Sequence, residues 1–172
     1  MQHARFRIVT PKKLWSWLAV WIFVGLAPGQ SSEPKFRELT PADRERLARQ
    51  RAVVLAVVKQ RYRTAAFARS RKDLPILQRL LDEKAFSKSQ FYELQSSGVV
   101  FGDVLASELP LRWVMISDEF GTDPTLRFKN TSININALTI ISKRVERDEN
   151  VDLEALLGKT RDALAAAEKK FR

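Results

Sequence analysis

LRWVMISDEFGTDPTLRFKNTSININALTIISKRV, residues Leu111–Val145, is the stretch whose reading decides the fold. Leu111, Trp113 and Met115 alternate with Arg112, Val114 and Ile116, which is the two-residue period of an extended chain. Residues 118–124 gather Asp, Gly and Pro and predict a reversal. Leu126 and Phe128 then alternate with Thr125, Arg127 and Lys129. Asn130-Thr131 marks a second reversal, and Ile133 and Ile135 alternate with Ser132, Asn134 and Asn136. The pattern predicts a three-stranded antiparallel meander with one apolar and one mostly polar face. From Ala137 the period lengthens, and Leu138, Ile141 and Val145 predict a short helix with Lys143 and Arg144 in its last turn.

Helical patterns flank this stretch. Upstream, Thr40 is a cap, Pro41 a first helical residue, and Asp43 and Glu45 sit where a helix N-terminus favours acids. The helix is predicted to run to about Arg69, with Leu47, Val54, Val58, Tyr62 and Ala65 on its apolar face. Asp73 opens a second helix, with Ile76, Leu77, Leu80 and Leu81 as its buried stripe. Ser87 opens a third, with Gln90 completing a capping box and Phe91, Leu94, Phe101, Val104 and Leu105 facing inward. Gly98 and Gly102 lie one turn apart in it and predict close approach of another backbone, the sheet or the first helix. Asp103 is expected to face water. Downstream, residues 152–170 predict a last helix burying Leu153, Leu156, Leu157 and Leu164. The fold class is therefore α+β, the meander packing against several helices.

The N-terminus is of another kind. Residues 1–13 are basic, and Leu14–Ala27 (LWSWLAVWIFVGLA) is apolar without a charge. Pro28-Gly29 ends the run, with Ala27 and Gly29 as the small pair before a cut. This is the layout of an export signal. A retained anchor helix is the alternative. Such a helix would be about 21 Å long against about 30 Å of hydrocarbon, and Trp15, Trp17 and Trp21 suit an interface. The expected organisation is a signal or anchor over residues 1–29, a linker over 30–39 and one domain over 40–172. The expected location is the periplasm or outside when cleaved, and the inner membrane when retained.

Composition narrows the chemistry. The chain has 172 residues, 45% apolar and 29% charged, the makeup of a folded domain. It has no cysteine, so disulfides, thiolate metal ligands, a Cys nucleophile and a lipidated N-terminal Cys are excluded. Its one histidine, His3, lies in the basic start. The net charge of +10 is concentrated before Gln30 and between Lys35 and Lys88; beyond Ser89 acids outnumber bases. Such asymmetry draws acidic partners or an anionic surface. The arginine-rich first helix lacks the aromatic interleaving and groove-reading motifs of a nucleic-acid binder, so nucleic acid is not an expected partner.

Asp118, Glu119 and Asp123 form the one acidic cluster with catalytic potential. They lack calcium-loop spacing. Ser142 and Lys143, neighbours on a helix, do not face each other and make no dyad. Glycine-rich phosphate loops and zinc spacings are missing, so no catalytic residue, cofactor or metal is predicted. A carboxylate- or metal-dependent hydrolase built on the Asp118/Glu119/Asp123 turn is the alternative reading. The leading one is a non-catalytic binding module for a protein or acidic envelope component. Arg112, Arg127 and Lys129 are its expected contacts on the sheet's polar face, with Asn134 and Asn136 beside them and Asp118 and Glu119 at the turn. Trp113 is expected in the core.

Gly102-Asp103-x-Leu105, Leu111-x-Trp113-Val114, Asp118-Glu119-x-Gly121-x-Asp123, Leu126-Arg127 and Ile141-Ser142-Lys143-Arg144-Val145 together resemble an uncharacterised bacterial family, a domain of unknown function. The resemblance covers roughly Phe91–Leu157 and implies a compact helical and antiparallel-sheet domain in exported or membrane-linked proteins. It implies no catalytic or binding residue. The layout is also similar, by analogy alone, to small immunity proteins.

Overall fold

The computed structural model describes residues 34–63, 66–119 and 121–170. The expected signal or anchor helix over residues 1–29 lies outside them, as does Ala65 of the first helix's expected apolar face. Among the described residues no helix is long and apolar enough to cross a membrane.

The chain is α+β. Among the described residues the sheet has four strands rather than three: β1 (Lys35–Arg37), β2 (Leu111–Asp118), β3 (Gly121–Phe128) and β4 (Asn134–Ile135), in that spatial order and antiparallel throughout. β1 falls in the expected linker. Its three residues carry no strand signal of their own. They pair with the end of β2, Lys35 opposite Ser117 and Arg37 opposite Met115, because that edge offers backbone groups that need partners. The first reversal is tighter than its composition suggests. β2 and β3 stay paired as far as Asp118 opposite Gly121. Gly121 has φ +130, a conformation that favours glycine. Pro124 belongs to β3, opposite Met115, ahead of the short ladder to β4, where its missing N–H costs no pairing bond on that side. Leu111, Trp113, Met115, Leu126, Phe128 and Ile135 share one face by register, and Arg112, Val114, Ile116, Thr125, Arg127 and Phe36 share the other.

Among the described residues there are five helices, α1 (Pro41–Tyr62), α2 (Leu74–Asp82), α3 (Phe91–Glu108), α4 (Ala137–Glu146) and α5 (Leu153–Lys170), with a 3-10 turn (Arg71–Asp73) before α2. Thr40 caps α1 as expected. Its hydroxyl accepts from the Asp43 amide at 3.2 Å, and the Asp43 carboxylate accepts from the Thr40 amide at 2.8 Å. α1 stops at Tyr62, short of Arg69, because Arg63 turns left-handed (φ 58). At α3 half of the predicted capping box forms: the Ser87 amide donates to Gln90 Oε1 at 2.8 Å, and the helix begins after Gln90.

α3 is the centre of the packing. It is buried continuously from Ser96 to Leu105, which places neighbours on every side. Phe91, expected to face inward, instead stands 54% exposed at its start. Both glycines mark close approach, but neither to the backbone of the sheet or of the first helix that was expected. A Cβ on Gly98 would lie 2.3 Å from the carbonyl oxygen of Ala137, so α4 starts directly against α3. A Cβ on Gly102 would lie 2.5 Å from the Trp113 ring. α5 buries Leu153, Leu156, Leu157 and Leu164, all four as its spacing predicts.

Candidate functional site

The Trp113 ring rests on Gly102, and its indole Nε1 donates to Asp103 Oδ1 at 3.0 Å. Arg51, from α1, donates Nε to Asp103 Oδ2 at 2.5 Å and Nη2 to Oδ1 at 2.7 Å. Arg69 stands 4.0 Å from the same carboxylate. Asp103 is 8% exposed, so the expectation of a solvated carboxylate is corrected. A helical repeat marks a charged position as outward when water lies beyond it. Here α1 lies beyond it and brings a two-pronged guanidinium. The knot ties α1, α3 and β2 together, with Trp113 partly buried as one wall of the core. It is a structural device: three donors already engage the carboxylate.

The expected contact residues are brought together only in part. Arg112 and Arg127 face each other across β2 and β3. Arg112 Nη1 donates to the Lys129 carbonyl (3.1 Å) and Asn130 Oδ1 (2.9 Å), and Nη2 stands 3.3 Å from Glu38. Its Nε is buried without a partner in the structure. The Arg127 guanidinium lies 4.3 Å from the Phe36 ring centre and donates to the carbonyls of Thr131 (2.7 Å) and Asn130 (3.1 Å). Lys129 follows β3 in a left-handed turn (φ 50), and its Nζ reaches Glu168 on α5 at 2.6 Å, away from the arginine pair. Asn134 joins the pair's strand face opposite Arg127, and Asn136 is exposed. Phe36, missed by the sequence reading because β1 was, completes this patch. Phe36, Arg112, Ile116 and Arg127 are each partly exposed, whereas Val114 and Thr125 beneath them are buried.

Asp118 and Glu119 are exposed, and Asp123 is held by Arg46 of α1 at 3.1 Å. Among the described residues no cluster of three or more carboxylates or imidazoles is arranged to hold a metal. A shallow cleft of about 390 Å³ lies elsewhere, between α2 and α5, lined by residues such as Leu74, Gln78, Val151 and Glu154. Gln78 closes its floor, donating to the Val151 carbonyl at 2.7 Å and accepting from the Leu153 amide at 2.9 Å.

Arg144 is a second surprise. Expected as a helix-end cation, it is 9% exposed, with Nη1 donating to the Ile140 carbonyl at 2.6 Å and Nε unpartnered. Burial pushes its pKa down, and Glu149 only partly offsets this. Position in a helical repeat signals none of this.

The class these features define is a small α+β domain with a helix-centred core, a four-stranded antiparallel sheet and a glycine–tryptophan–carboxylate knot. Residues 73–156 match the model of a family described as Domain of unknown function (DUF3806). The match bears out the resemblance and extends it upstream of Phe91 to take in α2. Arg51, the knot's arginine, lies outside the matched span. No curated protein matches the chain. A crystal structure from Bacteroides thetaiotaomicron VPI-5482 is similar in fold, with a TM-score of 0.68 at 16% identity. The similarity covers 80% of this chain and 51% of that one, so the chain spans about half the length of that structure.

Proposed function

We propose that the chain is a non-catalytic interaction module of the bacterial cell envelope that engages an acidic partner through the sheet face around Arg112 and Arg127. The observation that carries the reading is the cross-strand arginine pair. Like charges directly opposite each other destabilise a sheet. Here two guanidiniums are held side by side on a partly exposed face. Backbone carbonyls and the Asn130 amide take most of their hydrogen bonds, and a lone carboxylate, Glu38, lies 3.3 Å from one of them. Oriented guanidiniums with charge to spare suit a carboxylate-bearing surface. Phe36 adds an apolar shoulder against which a partner can close.

The test is capture from envelope extract, identified by mass spectrometry, with Arg112→Gln/Arg127→Gln compared with Arg49→Gln on α1 combined with Arg63→Gln just past its end. The reading expects the first pair to lose an acidic partner that the second retains. Equal capture by both variants would overturn it.

A further inference from the structure

We infer that the start of α3 is a membrane-contact surface, with Phe91 and Tyr92 seated among the headgroups of a phospholipid bilayer. The inference rests on the envelope reading above and on retention of residues 14–27. Phe91 is 54% and Tyr92 49% exposed, and they are neighbours in sequence on one helix end. Aromatic rings of this kind are favoured at a bilayer interface.

The fold determines which end of the domain is held near the membrane. β2 starts just after α3 ends and folds back along it, since Trp113 lies over Gly102. β1 pairs with the far end of β2, at Met115–Ser117, and Leu39 after it packs against the cluster of Leu47, Val99 and Leu138, as Trp113 does. The chain therefore enters the domain, at Pro34, beyond the middle of α3 on the side of its N-terminus, the side of Phe91 and Tyr92. From Ala27, the last residue of the apolar run, to Pro34 the chain can reach about 25 Å at full extension. A leader retained in the bilayer would bring that end of the domain within this distance of the surface. Lys84 and Lys88 precede the aromatics, but Lys88 is bound to Asp148 at 2.5 Å and Glu93 follows. The local charge is thus mixed, and aromatic burial carries the contact.

The cysteine-free sequence makes the test direct. Full-length Tyr92→Cys and Ser107→Cys, the second at the opposite end of α3, carry a nitroxide and are reconstituted into phosphatidylcholine–phosphatidylglycerol vesicles. Flotation reports attachment, and power saturation by oxygen against a water-soluble nickel chelate reports depth. The expected result is flotation of both proteins, with the oxygen-to-nickel accessibility ratio at position 92 several-fold above that at 107. Flotation with equal ratios would overturn the contact surface while leaving attachment standing. Failure to float would overturn both.

Discussion

Asp103→Asn keeps the size of the side chain and removes its charge. In the native protein Arg51 is 15% and Asp103 8% exposed at the side chain, and Arg51 gives the carboxylate two hydrogen bonds of 2.5 and 2.7 Å. Removing one partner of a buried pair costs roughly 3–5 kcal/mol, because the other charge stays behind unpaired. Arg51 retains some access to water, which places the expected loss near the lower bound, about 3 kcal/mol. At about 2–4 °C per kcal/mol for a chain of this size, the melting temperature should fall by about 6–12 °C. The assay is urea unfolding followed by far-UV circular dichroism, since three of the four tryptophans lie in residues 15–21 and would blur a fluorescence signal. A cycle with Arg51→Met should show coupling of about 1–3 kcal/mol, the double variant losing less than the sum of the singles. A loss below about 1 kcal/mol with an unchanged denaturant slope, or strict additivity, would refute the pairing as a source of stability.

Three further outcomes follow from the same structure. Gly98→Ala should cost about 2 kcal/mol or more by overpacking against Ala137, whereas Gly158→Ala on α5, where no atom lies within 4 Å, should gain about 0.5–1 kcal/mol; equal effects in thermal melts would contradict the packing. Arg144→Met should be neutral or up to about 1 kcal/mol stabilising, because a buried guanidinium with an unpartnered Nε is exchanged for an apolar side chain; a large loss on urea titration would show that the charge is needed. The Asp43 carboxylate is held well below its ordinary range by hydrogen bonds from Arg37 and then Thr40. A group lowered in the folded state contributes fully above its unfolded value of about 3.9 and loses that contribution as pH falls through the native value. The urea midpoint of Asp43→Asn should therefore lie below that of the parent at neutral pH and converge on it in strong acid; a gap independent of pH would rule this out.

Much of the secondary structure was legible because it is written in local periods. Alternation at Leu111–Ile116 gave a strand whichever neighbour it found, the Thr40 cap opened α1 in place, and the leucines of α5 were all buried. Phe91 shows where a period stops being informative: it falls on the helix's apolar stripe, yet at the helix start the neighbours that would cover it have ended. The contact residues were half legible. Arg112 and Arg127 were placed on one face by alternation alone, but Lys129 left that face when the chain turned left-handed.

By itself the sequence determined the fold class, the order of the helices and the faces along β2 and β3, since these follow from backbone geometry acting over a few residues. Tertiary structure alone decided that Lys35–Arg37 would be a strand, that Gly98 would meet α4, and that Asp103 would be enclosed by Arg51 and Trp113. Each of these depends on a partner distant in the chain. A β-edge, a helix backbone or a buried carboxylate acquires its meaning only from what folding brings against it.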